Sequence, residues 1–338
     1  MRATLIGLLA GFAGGWAFYL LNIPAPWLAG SMVGTVIAVF AGAKFDLPNW
    51  LKVTAFILLG IQTGTSVSWD TLERAWQWPI SIAFLTVTMI AVTWVGYVFY
   101  VKKAGWDRAT AFFASLPGAL ALVLMLADTA KADMRRVTIS QCIRLFFLVA
   151  ALPAVIELLS PPHVVIVLPA PGGVWDVAFL IIASAAAALL LERLKVPAGL
   201  ILGSALVSAI LGLSGLVQGG APPSLLIISN VVLGVMIGAR FAHFSLGELK
   251  QSLVDGFSCF VIALAISSAG AAITAAVAGL PFALTLLAFA PGGLEAMTIM
   301  SFALDLDPAY VAAHQVVRYV AICLFLPPLV TIFLRRNA

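Results

Sequence analysis

Two arginines lie deep inside apolar stretches of the sequence, and each has a glutamine three residues before it. Arg144 follows Gln141, and Arg318 follows Gln315. Residues three apart lie on the same face of a helix, so each pair would present a guanidinium and an amide together. A charge inside an apolar span costs roughly a few kcal/mol, so we expect both pairs to face a cavity or a partner.

Each pair follows an apolar run that is broken at its centre, at Ser115-Leu116-Pro117-Gly118-Ala119 and at Ala290-Pro291-Gly292-Gly293. Proline removes a helical hydrogen bond and glycine weakens a helix, so both runs should be interrupted. Guanidinium groups and the first turn of a restarted helix both favour anions. The sequence therefore predicts a pocket for an organic anion, with two guanidiniums available for two acidic groups. Its expected binding residues are Arg144, Arg318, Gln141, Gln315, Ser115, Pro117, Gly118, Pro291, Gly292 and Gly293.

A structural alternative stays open for the same residues. Each arginine could pair with a nearby acid or with carbonyl groups of the broken segment, and would then only hold that segment in place.

Two further side chains are candidates for coupling the anion to an ion gradient. Glu295 follows the second break and has Ala121 at its position in the first half. Its carboxylate could carry a proton, help to hold a cation, or neutralise Arg318. His314 lies one helical turn before Arg318.

Asp133 and Asp307 begin the arginine-containing runs, and we expect them to cap helices.

Composition sets the class of protein. Of the 338 residues, 63% are hydrophobic and 9% are charged, whereas soluble chains carry about 25% charged residues. This excludes a soluble protein and predicts an all-α integral membrane protein in a lipid bilayer. The net charge of +4 is scattered, so nucleic acid is not an expected partner. No metal-ligand or nucleotide-binding motif is present, so we expect no enzymatic activity and no cofactor beyond a coupling sodium ion or proton.

Apolar runs near the roughly 20 residues that cross a bilayer predict ten spans. The first five lie at about 3–21, 27–43, 53–71, 79–101 and 137–157, and the second five at about 175–192, 198–214, 224–241, 253–278 and 309–333. The broken runs, at about 108–128 and 282–304, are additional.

An internal repeat relates the two halves at an offset of 173–174 residues. Pro117-Gly118 matches Pro291-Gly292, Gln141 matches Gln315, and Arg144 matches Arg318. Such rare residue types at one offset indicate a duplication. The sequence predicts a first repeat at 1–160, an extracytoplasmic linker at 161–174 and a second repeat at 175–338.

The distribution of basic residues favours an inverted repeat. Of the 18 Lys and Arg, 16 lie outside the spans. If the broken runs cross the membrane, these divide 8 against 8. If each run is a re-entrant hairpin, 15 face the cytoplasm, as short cytoplasmic loops require. The second arrangement places both termini in the cytoplasm and lets the hairpin tips meet, which is typical of secondary transporters.

The sequence resembles the bacterial membrane "AbrB duplication" family. The resemblance rests on the matched segments at 23–30 and 196–203, on the two breaks, and on both Gln-xx-Arg pairs, and it covers nearly the whole chain. It implies a location in the bacterial inner membrane. Family names refer to a DNA-binding regulator and to an ammonia monooxygenase, but the chain has neither a basic patch nor metal ligands for these activities.

A looser resemblance is to elevator-type secondary transporters with inverted five-helix repeats, which implies a homodimer. We therefore expect a secondary active transporter of a small organic anion, coupled to a proton or sodium gradient. The alternatives are a membrane-embedded regulatory or signalling protein and a passive channel.

Overall fold

The computed structural model describes residues 2–43, 47–118, 120–159 and 172–335. Its regular elements are helices. The first half contains α1 (Arg2–Leu20), α2 (Ser31–Phe40), α3 (Asn49–Thr65), α4 (Trp69–Arg74), α5 (Trp78–Lys102), α6 (Arg108–Ser115), α7 (Leu120–Thr129) and α8 (Met134–Leu159). The second half contains α9 (Val174–Arg193), α10 (Gly199–Leu213), α11 (Pro223–Ala239), α12 (Leu246–Ala278), α13 (Phe282–Phe289), α14 (Leu294–Ala303) and α15 (Pro308–Arg335).

Seven helices in the described part of the chain are long and apolar enough to cross a membrane, and they indicate a multi-pass membrane protein. They are α1, α5, α8, α9, α11 with its following turn, α12 and α15. The other three expected spans form shorter helices. These are α2 with a preceding π-turn (Pro26–Gly30), α3 and α10. Most of the linker predicted at 161–174, namely residues 161–171, lies outside the described residues.

Left-handed backbone conformations recur at the offset found in the sequence. Non-glycine residues rarely adopt a positive φ because the Cβ crowds the backbone. Three such pairs occur, with φ of 53° and 57° at Asn22 and Lys195, 52° and 56° at Ala25 and Ala198, and 55° and 52° at Lys131 and Asp305. Corresponding positions therefore end or begin their helices in the same way in both halves.

The chain divides into two compact units, and each unit draws on both halves. Unit 1 comprises Met1–Trp78, Val149–Ala242 and Glu295–Ala312. Unit 2 comprises Pro79–Leu148, His243–Leu294 and Ala313–Ala338. Each compact body is thus assembled from segments of both halves rather than from one repeat.

In unit 1, the third helix of each half packs against the second helix of the other half. Gly60 on α3 lies against Ser204 on α10, and Gly234 on α11 lies against Ser31 on α2. The two glycines correspond at offset 174, and the two serines at offset 173. Exchanged contacts of this kind are the signature of a two-fold axis.

The same contacts fix the direction of the helices. Gly60 lies against the Ile201 carbonyl, and one turn later Gly64 lies against the Ala205 carbonyl. Residue numbers therefore increase in the same direction along the two helices, so α3 and α10 run parallel.

In unit 2, α5 and α12 hold the same place in the two halves and run antiparallel. Thr88, near the middle of α5, lies against Gly270, late in α12. Gly96, later in α5, lies against the earlier Cys259, and a Cβ at Gly96 would be 3.4 Å from its Sγ. These two contacts set the relative direction of the two helices.

The expected caps are confirmed. The Oδ1 of Asp133 accepts hydrogen bonds from the backbone N–H groups of Arg135 and Arg136, at 3.0 and 3.1 Å. The Oδ1 of Asp307 accepts from Ala309 and Tyr310, at 2.9 and 3.2 Å. Each carboxylate thus satisfies N–H groups in the first turn of its helix.

We expect Gly60→Ala to destabilise the protein. A Cβ at this position would collide with Ser204 and lie 2.5 Å from the Ile201 carbonyl oxygen, and such overpacking costs about 1–3 kcal/mol. Thermal unfolding in detergent measures the change. The control is Gly212→Ala on α10, where a Cβ meets no atom within 4 Å. Equal unfolding temperatures for the two variants would contradict the exchanged packing.

We expect Asp307→Asn to raise the unfolding temperature more at pH 7 than at pH 4. Burial raises the pKa of Asp307 above its ordinary value of 3.8, although the two backbone N–H groups and Arg74 oppose that rise. A raised pKa in the folded state favours folding at low pH, and this stability is lost as the pH rises through the folded pKa. Asparagine retains the cap without the charge. Asp133→Asn, at a cap whose side chain is 47% exposed, is the matched control, and a pH-independent difference at Asp307 would refute the prediction.

Candidate functional site

The first break leaves backbone carbonyls at the end of α6 without helical partners, and side chains of α8 supply the missing donors. Gln141 Nε2 donates to the Phe113 carbonyl at 3.2 Å. Arg144 Nη2 donates to the Leu116 carbonyl at 2.9 Å. The break is therefore held by the predicted Gln and Arg pair of the same half.

The segment before α8 returns to the level at which α6 begins. The backbone N–H of Asp133 donates to Thr110 Oγ1 at 2.8 Å, whereas Arg144 contacts Leu116 at the other end of α6. Thus α6 and α8 run in the same direction, and α7 must bring the chain back. With 8 and 10 residues, α6 and α7 extend only about 12 and 15 Å.

The second break is held in the corresponding way by side chains of α15. Gln315 Nε2 donates to the Ala288 carbonyl at 3.1 Å, and Arg318 Nη1 donates to the Ala290 carbonyl at 2.7 Å. Arg318 Nη2 donates to both the Gly292 carbonyl and the Gln315 Oε1. Arg318 therefore satisfies three acceptors at or beside the break.

The two breaks lie side by side in unit 2. Gly118 has φ of 95°, a left-handed conformation that favours glycine. A Cβ at Gly118 would lie 3.7 Å from the Gly292 carbonyl oxygen and 3.8 Å from Arg318 Nε. One place in the unit thus receives both breaks and the guanidinium of Arg318.

The two arginines differ in how their donors are used. Each is only 5% exposed, and a guanidinium carries five N–H donors. In the described ranges, Arg144 makes one hydrogen bond, and no carboxylate lies within ion-pair distance of it. The ion pairs found there join Arg135 to Glu248 and Arg136 to Asp133. Within the described residues, the charge of Arg144 is therefore buried without an acidic partner.

Tyr100 is a site residue that the sequence did not indicate. Its hydroxyl is fully buried and hydrogen-bonds to Ser140 Oγ, and Ser140 lies one turn before Arg144 on the same face of α8. Tyr100 lies on α5, 40 residues from its partner, so no short spacing pattern could have revealed the pair.

The remaining candidate residues lie at three different places. Ser115 is buried, and its hydroxyl donates to the Phe112 carbonyl at 2.8 Å. His314 is fully buried and shares a 2.7 Å hydrogen bond with Ser81 Oγ. Glu295 is half-buried in the first turn of α14, within unit 1. Pro117, Pro291 and Gly292 are buried within the breaks, and Gly293 is partly exposed.

Comparison with known proteins agrees with the resemblance drawn from the residues. The model of the family described as "Transition state regulatory protein AbrB" matches residues 2–76 and 27–334. The chain belongs to the AbrB family. It is similar to "Uncharacterized protein YhjN" of Bacillus subtilis (strain 168), with 26% identity over 94% of this chain and 89% of the relative. It is also similar to "Putative regulator AbrB" of Escherichia coli (strain K12), with 25% identity over 91% of this chain and 89% of the relative. The AbrB name implies no particular transport function.

We expect Arg318→Met to lower the stability of this AbrB-family protein more than Arg144→Met. The first change leaves the buried carbonyls of Ala290 and Gly292 without their donor, at a cost of about 1–3 kcal/mol for each. The second removes one hydrogen bond together with a buried charge that has no acid beside it, so the two effects oppose each other. Thermal unfolding in detergent, with the exposed Arg135→Gln as control, tests the order. Greater destabilisation by Arg144→Met would contradict it.

Proposed function

We propose that this protein is a secondary active transporter of a small organic anion in the bacterial inner membrane. One observation carries the proposal, namely the buried guanidinium of Arg144 beside two adjoining helix breaks. A buried charge without a partner is costly, and membrane proteins retain such groups at pathways for substrates and ions. The anion would supply the missing negative charge.

The direction of the helices supports an inverted repeat. Corresponding helices α5 and α12 run antiparallel, and α3 runs parallel to α10, the counterpart of α2. If α2 and α3 cross the membrane in opposite directions, as successive spans do, then α2 and α10 also point in opposite directions. Inverted repeats of this kind place a substrate site at the repeat interface in many secondary transporters.

The geometry around α6 supports a re-entrant hairpin. Because α6 and α8 run in the same direction and Asp133 returns to Thr110, the segment between them enters and leaves on one side. A broken helix that crossed the membrane would place α8 antiparallel to α6. The hairpin gives each half five crossings, the odd number that an inverted second half requires.

Several features of the mechanism belong to the proposal as well. Both termini are cytoplasmic, the transporter is a homodimer, and an elevator-type movement carries the two breaks with the anion. A proton or a sodium ion drives the movement. Glu295 and His314 are the coupling candidates, since the first is an acid that follows the second break in the sequence and the second is a buried imidazole one turn before Arg318.

A regulatory membrane protein is the second candidate, because one relative carries the name "Putative regulator AbrB". A regulator of this kind would bind the anion without moving it. Transport measurements in sealed vesicles separate the two possibilities.

We expect Arg144→Gln to weaken anion binding about 10- to 150-fold, because a hydrogen bond to a charged group contributes about 1.5–3 kcal/mol. A panel of carboxylates from formate to citrate would be tested by thermal shift, and bound compounds by counterflow in proteoliposomes with imposed proton or sodium gradients. Arg135→Gln is the matched control, since Arg135 is an exposed arginine at the start of the same helix. Unchanged binding and counterflow in Arg144→Gln would refute the anion site, and uptake that ignores both gradients would indicate a channel.

A further inference from the structure

We infer that the site accepts a single acidic group, which Arg144 holds, and that Arg318 is a positioning residue for the second break. The ligand class is then a monoanion, such as a monocarboxylate with an uncharged remainder. This inference rests on the proposed function, because it concerns the same site. It differs from the expectation that two arginines bind two acidic groups.

The argument begins with the edges of the guanidinium group. A carboxylate is bound bidentately by two parallel N–H groups of an arginine. The plane of the group offers two such edges, Nε with Nη2 and Nη1 with Nη2, since the side chain's own Cδ blocks the third. Both available edges therefore require an N–H of Nη2.

In Arg318, both edges are already occupied. Nη2 has two hydrogens, and its two acceptors are the Gly292 carbonyl and the Gln315 Oε1. Nη1 donates to the Ala290 carbonyl as well. A carboxylate could bind Arg318 bidentately only by displacing an acceptor, which would leave a buried carbonyl or amide oxygen unsatisfied.

In Arg144, one edge is left available. Nη2 gives one hydrogen to the Leu116 carbonyl, and this is the hydrogen bond that Arg144 makes among the described residues. The second hydrogen of Nη2 is therefore available to a ligand. Together with an N–H of Nε or of Nη1, it forms one edge that can bind a carboxylate bidentately. One bidentate edge matches one carboxylate, or another planar or tetrahedral monoanion with two adjacent oxygens.

The neighbouring side chains repeat this asymmetry. Beside Arg144, the buried hydroxyls of Tyr100 and Ser140 are neutral hydrogen-bonding groups. Their counterparts at offset 174 are Thr274 and His314, and both are engaged elsewhere. Thr274 Oγ1 donates to the Gly270 carbonyl of its own helix at 2.8 Å, and His314 hydrogen-bonds to Ser81. The second half therefore resembles a completed structural element, and the first half an incomplete one.

The charge balance leads to the same ligand class. One bound negative charge neutralises Arg144. A second acidic group would be buried beside carbonyl oxygens, without a pair of parallel N–H groups to bind it. An unpaired buried charge is strongly unfavourable, so a diacid would bind more weakly than its monoester of similar shape.

The experiment compares matched ligands on the purified full-length protein by calorimetry or thermal shift. The pairs are malonate, succinate and glutarate, each against its monomethyl ester, and phthalate against benzoate. The uncharged dimethyl esters serve as controls. We expect each monoanion to bind at least about tenfold more tightly than its diacid, and the diesters not to bind.

Two variants test the separate roles of the arginines. Arg144→Gln should weaken the binding of monoanions about 10- to 150-fold, whereas Arg318→Gln should keep the preference for monoanions over diacids while it lowers the unfolding temperature. A change in charge preference is a result that a purely structural role for Arg318 would not produce. Arg135→Gln should leave both affinity and preference unchanged.

The possible failures are distinguishable. Tighter binding of diacids, with loss of that preference in Arg318→Gln, would overturn the single-acid inference and leave the anion transporter standing. Binding of the same acids with equal affinity to the wild type and Arg144→Gln would overturn the proposed site itself. No response to any acid in the panel would count against both.

Discussion

The hydrogen bonds from two buried arginines to backbone carbonyls are the interaction on which this site depends. A helix broken inside an apolar body leaves carbonyl groups that water cannot reach, and each must find a donor. Arg144 and Arg318 provide these donors across the same interval, because Leu116 and Ala290 each precede their arginine by 28 residues. The proline and glycine breaks and the charged side chains therefore depend on each other. Loss of either one leaves the other without its hydrogen-bonding partner.

Corresponding segments of the two halves meet within each of the two units. In unit 1, corresponding glycines let backbones approach closely at two equivalent contacts, as small residues do between membrane helices. In unit 2, the corresponding helices α5 and α12 pack against each other in antiparallel directions. Gly118 then lies beside Gly292 and Arg318. A duplicated sequence thus builds one site from two breaks, with one contribution from each half.

Much of this arrangement could be predicted from the sequence. Rare residues at one offset indicated the duplication, Pro and Gly marked the ends of α6 and α13, and Asp133 and Asp307 indicated caps. Three features could not be predicted. The partner of Tyr100 lies 40 residues away, and the assembly of each compact unit from both halves depends on tertiary packing. The number of donors that each guanidinium has left depends on the carbonyl directions at the breaks, because the two Gln-xx-Arg motifs are identical in type.

The two arginines therefore differ because of their surroundings, not because of their own motifs. Gly292 and Gln315 both accept from Arg318 Nη2, whereas Nη2 of Arg144 donates to Leu116 alone among the described residues. The two breaks thus use corresponding backbone positions, while the side chains around them make the site asymmetric. A bound anion would complete the first half in the way that backbone and amide oxygens complete the second. The ligand would then stabilise the break that the protein leaves least satisfied, which couples occupancy to the conformation of the broken segment.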